Sequence, residues 1–596
     1  MRSPREVRRG PLTFDQYYRW DGLYWSRAAN QRPAQRTRWQ LDSPVPLAIA
    51  EKALAALVER HEILRTTFGI GDDDLPCQTV YDRVDLGRHV IVLDRGSSPQ
   101  DMILVDDALW VVYLECEHDV VTHVNLVYDH IITDGFGRSN FTAQFEALCR
   151  GEDPARPTNH PLDQLTQQRR LARLIDPRSG AGTAWGERFP QTCVPPRRLS
   201  AQERGQTVLT VGYDGLIETA DDICQRFGTS MPSLFQTLIG LFMSHLSGLS
   251  WVRFGTILNG RLEQDHTIDC RIRQVRTIFI VRPDEPFHAA VEAFEAAKLT
   301  NVLRDFRHDP VPDEVKLIEI QRQGIRPNMP VYFNYLELPD EDPAAELTSR
   351  AEAAADPWVV VWSLFEGPTT LEVELRAGLG QLSAVTAEAA LTMFPSLLEF
   401  VRTHPSARVG DIQALLRSIP VTRESTELVA DRWVDRSRLA ASINAVPGVC
   451  RCTISVEGAA VVCSLCTEPE TRFFDIHENL TGLLDAEPWL VAPDEYQAQP
   501  CENHQMDQNS WSPGDGVALL PSTEPETVLA DAISVVNKVA VKDMSATYVT
   551  VGGALALAPA VAERIRDAGY SGIEREHFWA SFTLRAVARC LIRTQN

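Results

Sequence analysis

Helical and strand patterns alternate along the first 420 residues of the chain, and this alternation predicts an α/β (α+β) fold. Residues 46–68 have apolar side chains at helical spacing, whereas residues 109–117 and 121–129 are rich in the β-branched and aromatic side chains of strands. A chain of 596 residues is too long for a single hydrophobic core, so we expect several domains.

Net charge and hydropathy limit which partners and which cellular compartment can be expected for this protein. A net charge of −23 argues against a nucleic acid or an anionic membrane as the main partner, because both would repel such a surface. The longest apolar stretch, residues 234–251, is interrupted by polar side chains and predicts a buried helix rather than a membrane span. No apolar signal follows the basic start, and the twelve scattered cysteines suit free thiols. We therefore expect a cytoplasmic protein.

Composition shifts along the chain suggest where domains begin and end. A stretch with Pro and Gly at residues 150–164 predicts a linker between two lobes. After Pro420 a helix, a turn at Pro447-Gly448 and a hairpin turning at Glu457-Gly458 are expected, then a polar loop over residues 496–517 and finally a small helical bundle. The predicted domains are residues 1–175, 176–420, 424–500 and 521–596.

The segment LVYDHIITDGFG, residues 126–137, is a candidate catalytic loop at the end of a predicted strand. His130 is a candidate general base, because imidazole titrates near neutral pH. Asp134 can form an ion pair that fixes the loop, and Gly135 permits close approach of the backbone. By itself the pattern also fits a surface histidine beside an Asp-Gly turn.

Four further segments support the catalytic interpretation. They are PLTFDQYYRW near the start, LAALVERHEILRTTF at 54–68, FGTILNGR at 254–261 and HDPVPDEVKLIE at 308–319. Together with DHIITDG at 129–135, their order and spacing resemble nonribosomal peptide synthetase condensation domains over about residues 8–420. The resemblance implies two chloramphenicol-acetyltransferase-like lobes in a V with a tunnel between them, which carrier-bound donor and acceptor enter from opposite faces.

The resemblance also implies roles for individual residues. His130 matches the second, catalytic histidine of the family's His-His-x-x-x-Asp-Gly motif, Asp134 matches its structural aspartate, and Arg261 matches the arginine that pairs with that aspartate. The backbone near Gly135 would lie close to the developing oxyanion. Asp129 replaces the first histidine, and we expect it to support the site together with Arg261.

Two departures from the motif leave alternatives open. Asp129 and Asp134 together have the Asp-x4-Asp spacing of the heterocyclisation subfamily, yet Gly137 stands where that subfamily has serine, and His130 is retained. The family's Asn-Thr-Leu-Pro-Leu-Arg stretch appears only as TIFIVR, residues 277–282. Amide formation, heterocyclisation and an inactive recruiting domain therefore all remain as interpretations.

The segments after Pro420 resemble parts of a synthetase module. TYVTVGGALALAPAVAERIRDAGYSGI resembles a peptidyl carrier protein signature, but Leu555 replaces the serine that carries phosphopantetheine and Ala554 the aspartate before it. Residues 424–500 faintly resemble the small subdomain of adenylation enzymes, without the large adenylating core. The resemblance implies a degenerate module remnant that neither activates amino acids nor carries a substrate; an unrelated helical domain is the alternative.

Three other patterns have simpler interpretations. A cluster of four cysteines (Cys450, Cys452, Cys463 and Cys466) could bind zinc, but neighbouring strands with apolar thiols explain it as well, so we predict no metal. GAGTAWG at 180–186 lacks the preceding strand of a dinucleotide site and is expected to be a plain loop. The aromatic residues of 17–25 are expected to pack along a helix rather than to bind substrate.

These observations together predict an acyltransferase: a stand-alone condensation enzyme of nonribosomal peptide or specialised-metabolite (antibiotic) biosynthesis. It would form an amide or ester between an acyl or aminoacyl thioester on a separate carrier protein and an amine acceptor, at His130, Asp134 and Gly135. A phosphopantetheine arm would be delivered in trans by the acyl or peptidyl carrier protein, and no bound cofactor, metal, nucleic acid or membrane is expected. A non-catalytic recruiting module is the alternative.

Overall fold

The computed structural model describes fifteen stretches of the chain. They are residues 4–28, 35–94, 109–157, 159–172, 206–261, 265–305, 331–337, 360–378, 382–421, 426–429, 432–483, 490–500, 510–512, 518–579 and 582–594. The segments 180–186 and 308–319 singled out above lie outside them.

Residues 4–172, here called the N-lobe, contain a four-stranded sheet in the order β2-β7-β6-β5 and a three-stranded sheet in the order β1-β4-β3. The strands are β1 (Glu6–Pro11), β2 (Gln35–Pro46), β3 (Thr66–Ile70), β4 (Pro76–Tyr81), β5 (Val90–Asp94), β6 (Trp110–Glu117) and β7 (Val120–Tyr128). The helices are α1 (Phe14–Ala28), α2 (Leu47–Arg60), α3 (Leu86–His89), α4 (Gly135–Cys149) and α5 (Pro161–Ala172).

Strands β6 and β7 confirm the predicted strand pair and form the buried centre of the N-lobe, in antiparallel register from Trp110 opposite Tyr128. The helical pattern over residues 46–68 is only partly confirmed. Helix α2 ends at Arg60, because His61 adopts an extended conformation and a 3₁₀ turn, Glu62–Arg65, leads into β3. The β-branched pair Thr66-Thr67 favours that strand over a continued helix.

Residues 206–421, the C-lobe, are built on a six-stranded sheet in the order β10-β9-β11-β12-β13-β8. The strands are β8 (Gln206–Asp214), β9 (Trp251–Asn259), β10 (Ile272–Ile280), β11 (Val331–Glu337), β12 (Val360–Glu366) and β13 (Thr370–Gly378). The helices are α6 (Leu216–Phe227), α7 (Met231–Ser247), α8 (Phe287–Asp305), α9 (Ala384–Thr403) and α10 (Val409–Leu416).

Among the described residues, one helix of the C-lobe is long and apolar enough to raise the question of a membrane span, and a second was predicted to be buried. Helix α7 is the predicted buried helix, and almost all its side chains lie in the C-lobe core. Helix α9 has the length and composition of a spanning helix. Its Leu391, Phe394 and Leu398 nevertheless pack into the same core, which identifies α9 as a core helix.

The remainder of the chain forms two smaller units. The middle segment, residues 426–512, contains β14 (Glu427–Val429), β15 (Arg432–Val434), α11 (Arg436–Asn444), β16 (Val449–Glu457), β17 (Ala460–Thr467), α12 (Phe473–Leu483), β18 (Glu495–Ala498) and β19 (Ser510–Trp511). The tail, residues 518–594, contains α13 (Glu524–Asn537), a 3₁₀ helix Leu555–Leu557, α14 (Ala558–Asp567), β20 (Tyr570–Ser571), α15 (Glu576–Trp579), α16 (Leu584–Cys590) and β21 (Ile592–Arg593).

The helix, turn and hairpin predicted after Pro420 are present as α11, β16 and β17. The polar loop predicted from residue 496 is wrong at its start. Tyr496 is fully buried in strand β18, which pairs in parallel with β17. One large aromatic side chain in a polar stretch is enough to anchor that strand in the core.

Candidate functional site

The candidate loop is the connection 129–134 between β7 and α4. The Asp129 carboxylate accepts a hydrogen bond from the backbone N–H of Ile131 at 2.8 Å, which closes a tight turn directly after the strand. Ile131 and Ile132 are buried in the N-lobe core. The turn at Asp129 and the two buried isoleucines thus fix the backbone on both sides of His130.

His130 is held in one orientation by its Nδ1, which lies 2.9 Å from the carbonyl oxygen of Thr133. Because a carbonyl can only accept, Nδ1 carries the proton and Nε2 carries the lone pair. Burial, followed by the positive charge of Arg19, lowers the pKa of His130 to about 4. The imidazole is therefore neutral at physiological pH and has a free lone pair, but in this environment it is a weaker base than an ordinary histidine.

The lowered pKa makes a testable prediction about titration. We expect His130 to titrate at about pH 4 instead of its ordinary 6.5, as measured by exchange of the imidazole C2 hydrogen with mass spectrometry. Burial also lowers the pKa of His61 to about 4, so His61 should titrate in the same range. Both groups take up protons more readily in the unfolded chain, so stability should fall as the pH drops from about 6.5 to about 4. A midpoint at or above 6.5 would contradict this environment.

Cys270, which belongs to the C-lobe, lies next to the His130 ring. Its Sγ lies 4.0 Å from His130 Nδ1, and its side chain is buried. Burial raises the pKa of the Cys270 thiol. The thiol therefore stays protonated and packs against the imidazole instead of acting as a nucleophile.

Asp134 caps helix α4 and is completely buried. Its Oδ1 accepts from the N–H of Gly137 at 2.8 Å, and its Oδ2 accepts from Arg261 Nη1 at 2.6 Å and from the N–H of Arg271 at 2.7 Å. Both carboxylate oxygens are thus occupied by donors. The structure brings Asp134 and Arg261 together and assigns this carboxylate to holding the loop, not to proton transfer.

A buried ionic network extends from this pair. Arg271 Nε donates to Asp269 Oδ1 at 2.9 Å, Arg261 also donates to the carbonyl of Asp269, and Arg271 forms a second ion pair with Asp265. Burial lowers the pKa of Arg261, but Asp134 and Asp269 outweigh it and keep that pKa above its usual value. Burial raises the pKa of Asp269 despite both arginines.

Asp265, Asp269 and Arg271 were not predicted from the sequence. They belong to residues 265–271, here called the crossing segment, which links β9 to β10 and reaches across to the N-lobe. Its backbone carbonyls accept from Asn140 and Gln144 of α4, at 2.8 Å for Thr267 and 2.7 Å for His266. A segment rich in charged side chains between two strands is typical of an exposed loop, so the sequence carried no clear signal of burial.

The crossing segment leaves no room for a side chain at Gly137. A Cβ there would lie 2.0 Å from the carbonyl oxygen of Ile268 and 2.3 Å from Thr133 Oγ1. At Gly135, in contrast, an added Cβ would meet no atom within 4 Å. The tight contact within the protein is therefore at Gly137, whereas the space beside Gly135 is open, and close approach of a substrate to Gly135 stays a prediction.

The two glycines should respond differently to the same substitution. We expect Gly137→Ala to lower the free energy of unfolding by about 1–3 kcal/mol, because the crossing segment must shift to admit a methyl group. Gly135→Ala, at the first residue of a helix with open space around it, should change it by less than about 0.5 kcal/mol. Urea unfolding of both variants tests the difference, and equal stability would show that the contact at Gly137 is not tight.

The carrier-like turn in the tail does not fit a phosphopantetheine arm. Leu555 offers no hydroxyl for the phosphodiester and is buried in the tail core. The preceding turn is fixed internally, because Asn537 Oδ1 accepts from the N–H of Ala554 at 2.8 Å and Tyr548 donates to the Ala554 carbonyl at 2.8 Å. The Tyr548 ring also leaves no space for a Cβ at Gly553.

The cysteine cluster in the middle segment is part of a sheet. Cys452 and Cys463 lie buried on paired strands with their sulfurs 3.4 Å apart, whereas Cys450 is exposed. Among the described residues no group of three histidine, cysteine or acidic side chains is placed to hold a metal ion. Nine of the described cysteines are free thiols, but Cys466 is disulfide-bonded, which the prediction of free thiols throughout did not anticipate.

Comparison with known sequences supports the family assignment. A family model described as "Condensation domain" matches residues 35–272. Surfactin synthase subunit 2 of Bacillus subtilis (strain 168) is 21% identical over 415 residues, covering 66% of this chain and 11% of that protein. Tyrocidine synthase 2 of Brevibacillus parabrevis is 23% identical over 360 residues, covering 57% and 10%. The chain thus spans about a tenth of the length of these relatives.

Solved structures share the fold. The condensation domain from the monacolin K polyketide synthase MokA is 16% identical with a TM-score of 0.52, covering 68% of this chain and 99% of that one. The first condensation domain of the calcium-dependent antibiotic synthetase has the same values. The X-domain from teicoplanin biosynthesis is 19% identical with a TM-score of 0.52, covering 69% and 98%. The condensation-domain model therefore matches the N-lobe and the start of the C-lobe, and the two lobes together have the fold of these condensation-domain structures.

Proposed function

We propose that this condensation domain catalyses amide formation between an acyl or aminoacyl thioester on a carrier protein supplied in trans and an amine acceptor. The observation that carries the proposal is the state of His130: a neutral imidazole whose Nδ1 donates to the Thr133 carbonyl, so that Nε2 presents its lone pair. The proposal places the reaction in the cytoplasm and in the assembly of nonribosomal peptides or related specialised metabolites such as antibiotics.

In the proposed reaction one carbon–nitrogen bond forms and one carbon–sulfur bond breaks. The amine nitrogen attacks the thioester carbonyl, the carbon–nitrogen bond forms, and His130 Nε2 positions and accepts the proton that the nitrogen loses. The carbon–sulfur bond then breaks, and the proton passes to the leaving thiolate. A thiol has a pKa of about 8.5, well above the pKa of about 4 for His130, so this second transfer is strongly favourable.

Two features near His130 assist the reaction under this proposal. Helix α4 begins at Gly135, and its first N–H groups and the positive end of its dipole suit the oxyanion that develops on the carbonyl. The open space beside Gly135 leaves room for the thioester. The thioester supplies the driving force, so the proposal requires neither ATP nor a metal ion.

Heterocyclisation is less well supported than amide formation. The pattern of that subfamily places serine at the position of Gly137, where the crossing segment excludes even a methyl group. Asp129, which completes the Asp-x4-Asp spacing, has one carboxylate oxygen engaged by the N–H of Ile131. Its role here is to shape the turn before His130.

A recruiting module is the second candidate function. Leu555 in the carrier-like turn and Asp129 in the motif both depart from an active module. One similar structure, 18% identical with a TM-score of 0.52, is described as a complex of the X-domain and OxyB from teicoplanin biosynthesis. This second candidate would bind a partner enzyme without turning over a thioester.

Intact mass spectrometry distinguishes the two candidates. A panel of carrier proteins loaded with acyl or aminoacyl groups is incubated with amine acceptors and the full chain, and with the same mixtures lacking the chain. We expect the carrier to lose the acyl mass and the acceptor to gain it only when the chain is present. Absence of transfer across the panel, with the protein folded, would favour the recruiting module.

A further inference from the structure

The tail packs directly against the N-lobe, on helix α1. The Trp25 ring lies 6.0 Å from the ring of Phe578, and Trp25 and Ile70 both pack against the tail core. Helix α1 also contacts helix α14 and the 3₁₀ helix that contains Leu555. The carrier-like turn therefore lies next to the N-lobe, with Gly553 and Leu555 buried and Gly552 exposed.

Charged groups surround this apolar centre. Arg566 donates to the hydroxyl of Tyr24 and lies with its guanidinium carbon 5.9 Å from the centre of that ring. Arg564 Nη2 lies 2.9 Å from Asp74, in the turn between β3 and β4. Aromatic anchors inside a charged rim are the arrangement of a specific, stable interface.

The other end of helix α1 is anchored in the N-lobe. Asp15 is buried and accepts from Gln168 Nε2 at 2.7 Å, and Gln168 in turn accepts from the N–H of Phe14 at 2.9 Å. Trp20 and Leu23 of helix α1 belong to the same hydrophobic core as Ile131 and Ile132 of the candidate loop, and the charge of Arg19 acts on His130. One rigid helix of 15 residues thus joins the tail to the surroundings of His130.

We infer that the tail is a permanently docked domain that holds helix α1 in position, and that it takes over a structural role in place of carrying a substrate. Its buried Leu555 and internally bonded Gly-Gly turn suit a fixed partner, whereas a carrier must present its attachment residue to several enzymes. Helix α1 is then a positioning element for the loop 129–134. Only the effect on turnover rests on the proposed function; the docking itself does not.

Charge reversal at the rim tests this inference in the full chain. We expect Arg564→Asp/Arg566→Asp to break both contacts and to raise hydrogen–deuterium exchange in α1 and in residues 129–134 by about tenfold or more, because a local opening becomes more populated. Arg593→Asp is the matched control: this tail arginine is 73% exposed and forms a surface ion pair with Glu524, within the tail itself. It should leave both regions unchanged.

The turnover of the same variant tests the positioning role. We expect kcat to fall by about tenfold, because the reacting groups are misplaced and not lost. The KM for the acceptor should stay within about twofold of the wild-type value. Unchanged exchange in α1 would overturn the docked tail. Faster exchange in α1 with residues 129–134 unchanged would overturn the positioning role, and this result is decisive even if the wild-type chain transfers no acyl group.

Discussion

His130→Ala should reduce kcat for amide formation by about 10²–10⁴-fold, the range that a general base contributes. The reason is specific to this site. Nδ1 donates to the Thr133 carbonyl, and this bond fixes the ring so that Nε2 carries the lone pair. KM for the carrier-bound donor should change little, because in the proposed reaction the imidazole acts on the reacting amine and does not bind the carrier. Intact mass spectrometry of the acylated acceptor over time gives both constants.

The control for this variant is another histidine. His404→Ala removes an exposed side chain at the end of helix α9 and should leave kcat within experimental error. Circular dichroism and the unfolding midpoint must match between the two variants, so that a loss of activity is not a loss of fold. Turnover by His130→Ala at half the wild-type rate or more would mean that the reaction needs no base at this position.

The second large effect concerns stability. Asp134→Ala should lower the free energy of unfolding by about 3–5 kcal/mol, because it leaves the Arg261 guanidinium buried and without its closest carboxylate. Arg261→Ala should cost a similar amount, since Asp134 is completely buried and would lose one of the three donors that satisfy it. Urea unfolding followed by tryptophan fluorescence measures both, and amide formation should be lost with the loop geometry.

Two comparisons give this prediction its controls. Arg226→Ala breaks the exposed pair with Asp222 and should cost no more than about 0.5 kcal/mol. The double variant Asp134→Leu/Arg261→Met, which removes both charges and keeps apolar volume, should recover much of the lost stability but not the activity. A loss below about 1 kcal/mol for either single alanine variant would mean that water or another charge replaces the missing partner.

The parts of this site that are local in the chain were predictable from the sequence. His130, Asp134 and Gly135 lie within six residues at the end of a strand whose composition identifies it. Arg261 was placed beside Asp134 only through the family resemblance, and the geometry brings the two together at 2.6 Å. Periodicity and composition also predicted the strand pair β6 and β7 and helix α7, because those patterns report on immediate neighbours.

What the sequence could not reveal is contact over long distances. The bonds from Thr133 to Ile268 and from Gln144 to His266 join residues more than a hundred positions apart. Asp265, Asp269 and Arg271 look like a solvated loop until the fold buries them with their partners. The same limit explains Trp25, which was correctly expected to pack on a helix face, but whose partner Phe578 lies at the other end of the chain.

The crossing segment is synthesised long after the rest of the N-lobe core to which it belongs. Ile268 completes the N-lobe core and lies 135 residues after Thr133, so a ribosome adding about 5–20 residues per second delivers it roughly 7–27 s later. During that interval the nascent N-lobe has an unfilled place beside helix α4 and lacks Arg261, whose charge neutralises Asp134. The N-lobe core can therefore be completed only after β8 and β9, two of the six strands of the C-lobe sheet, have been synthesised.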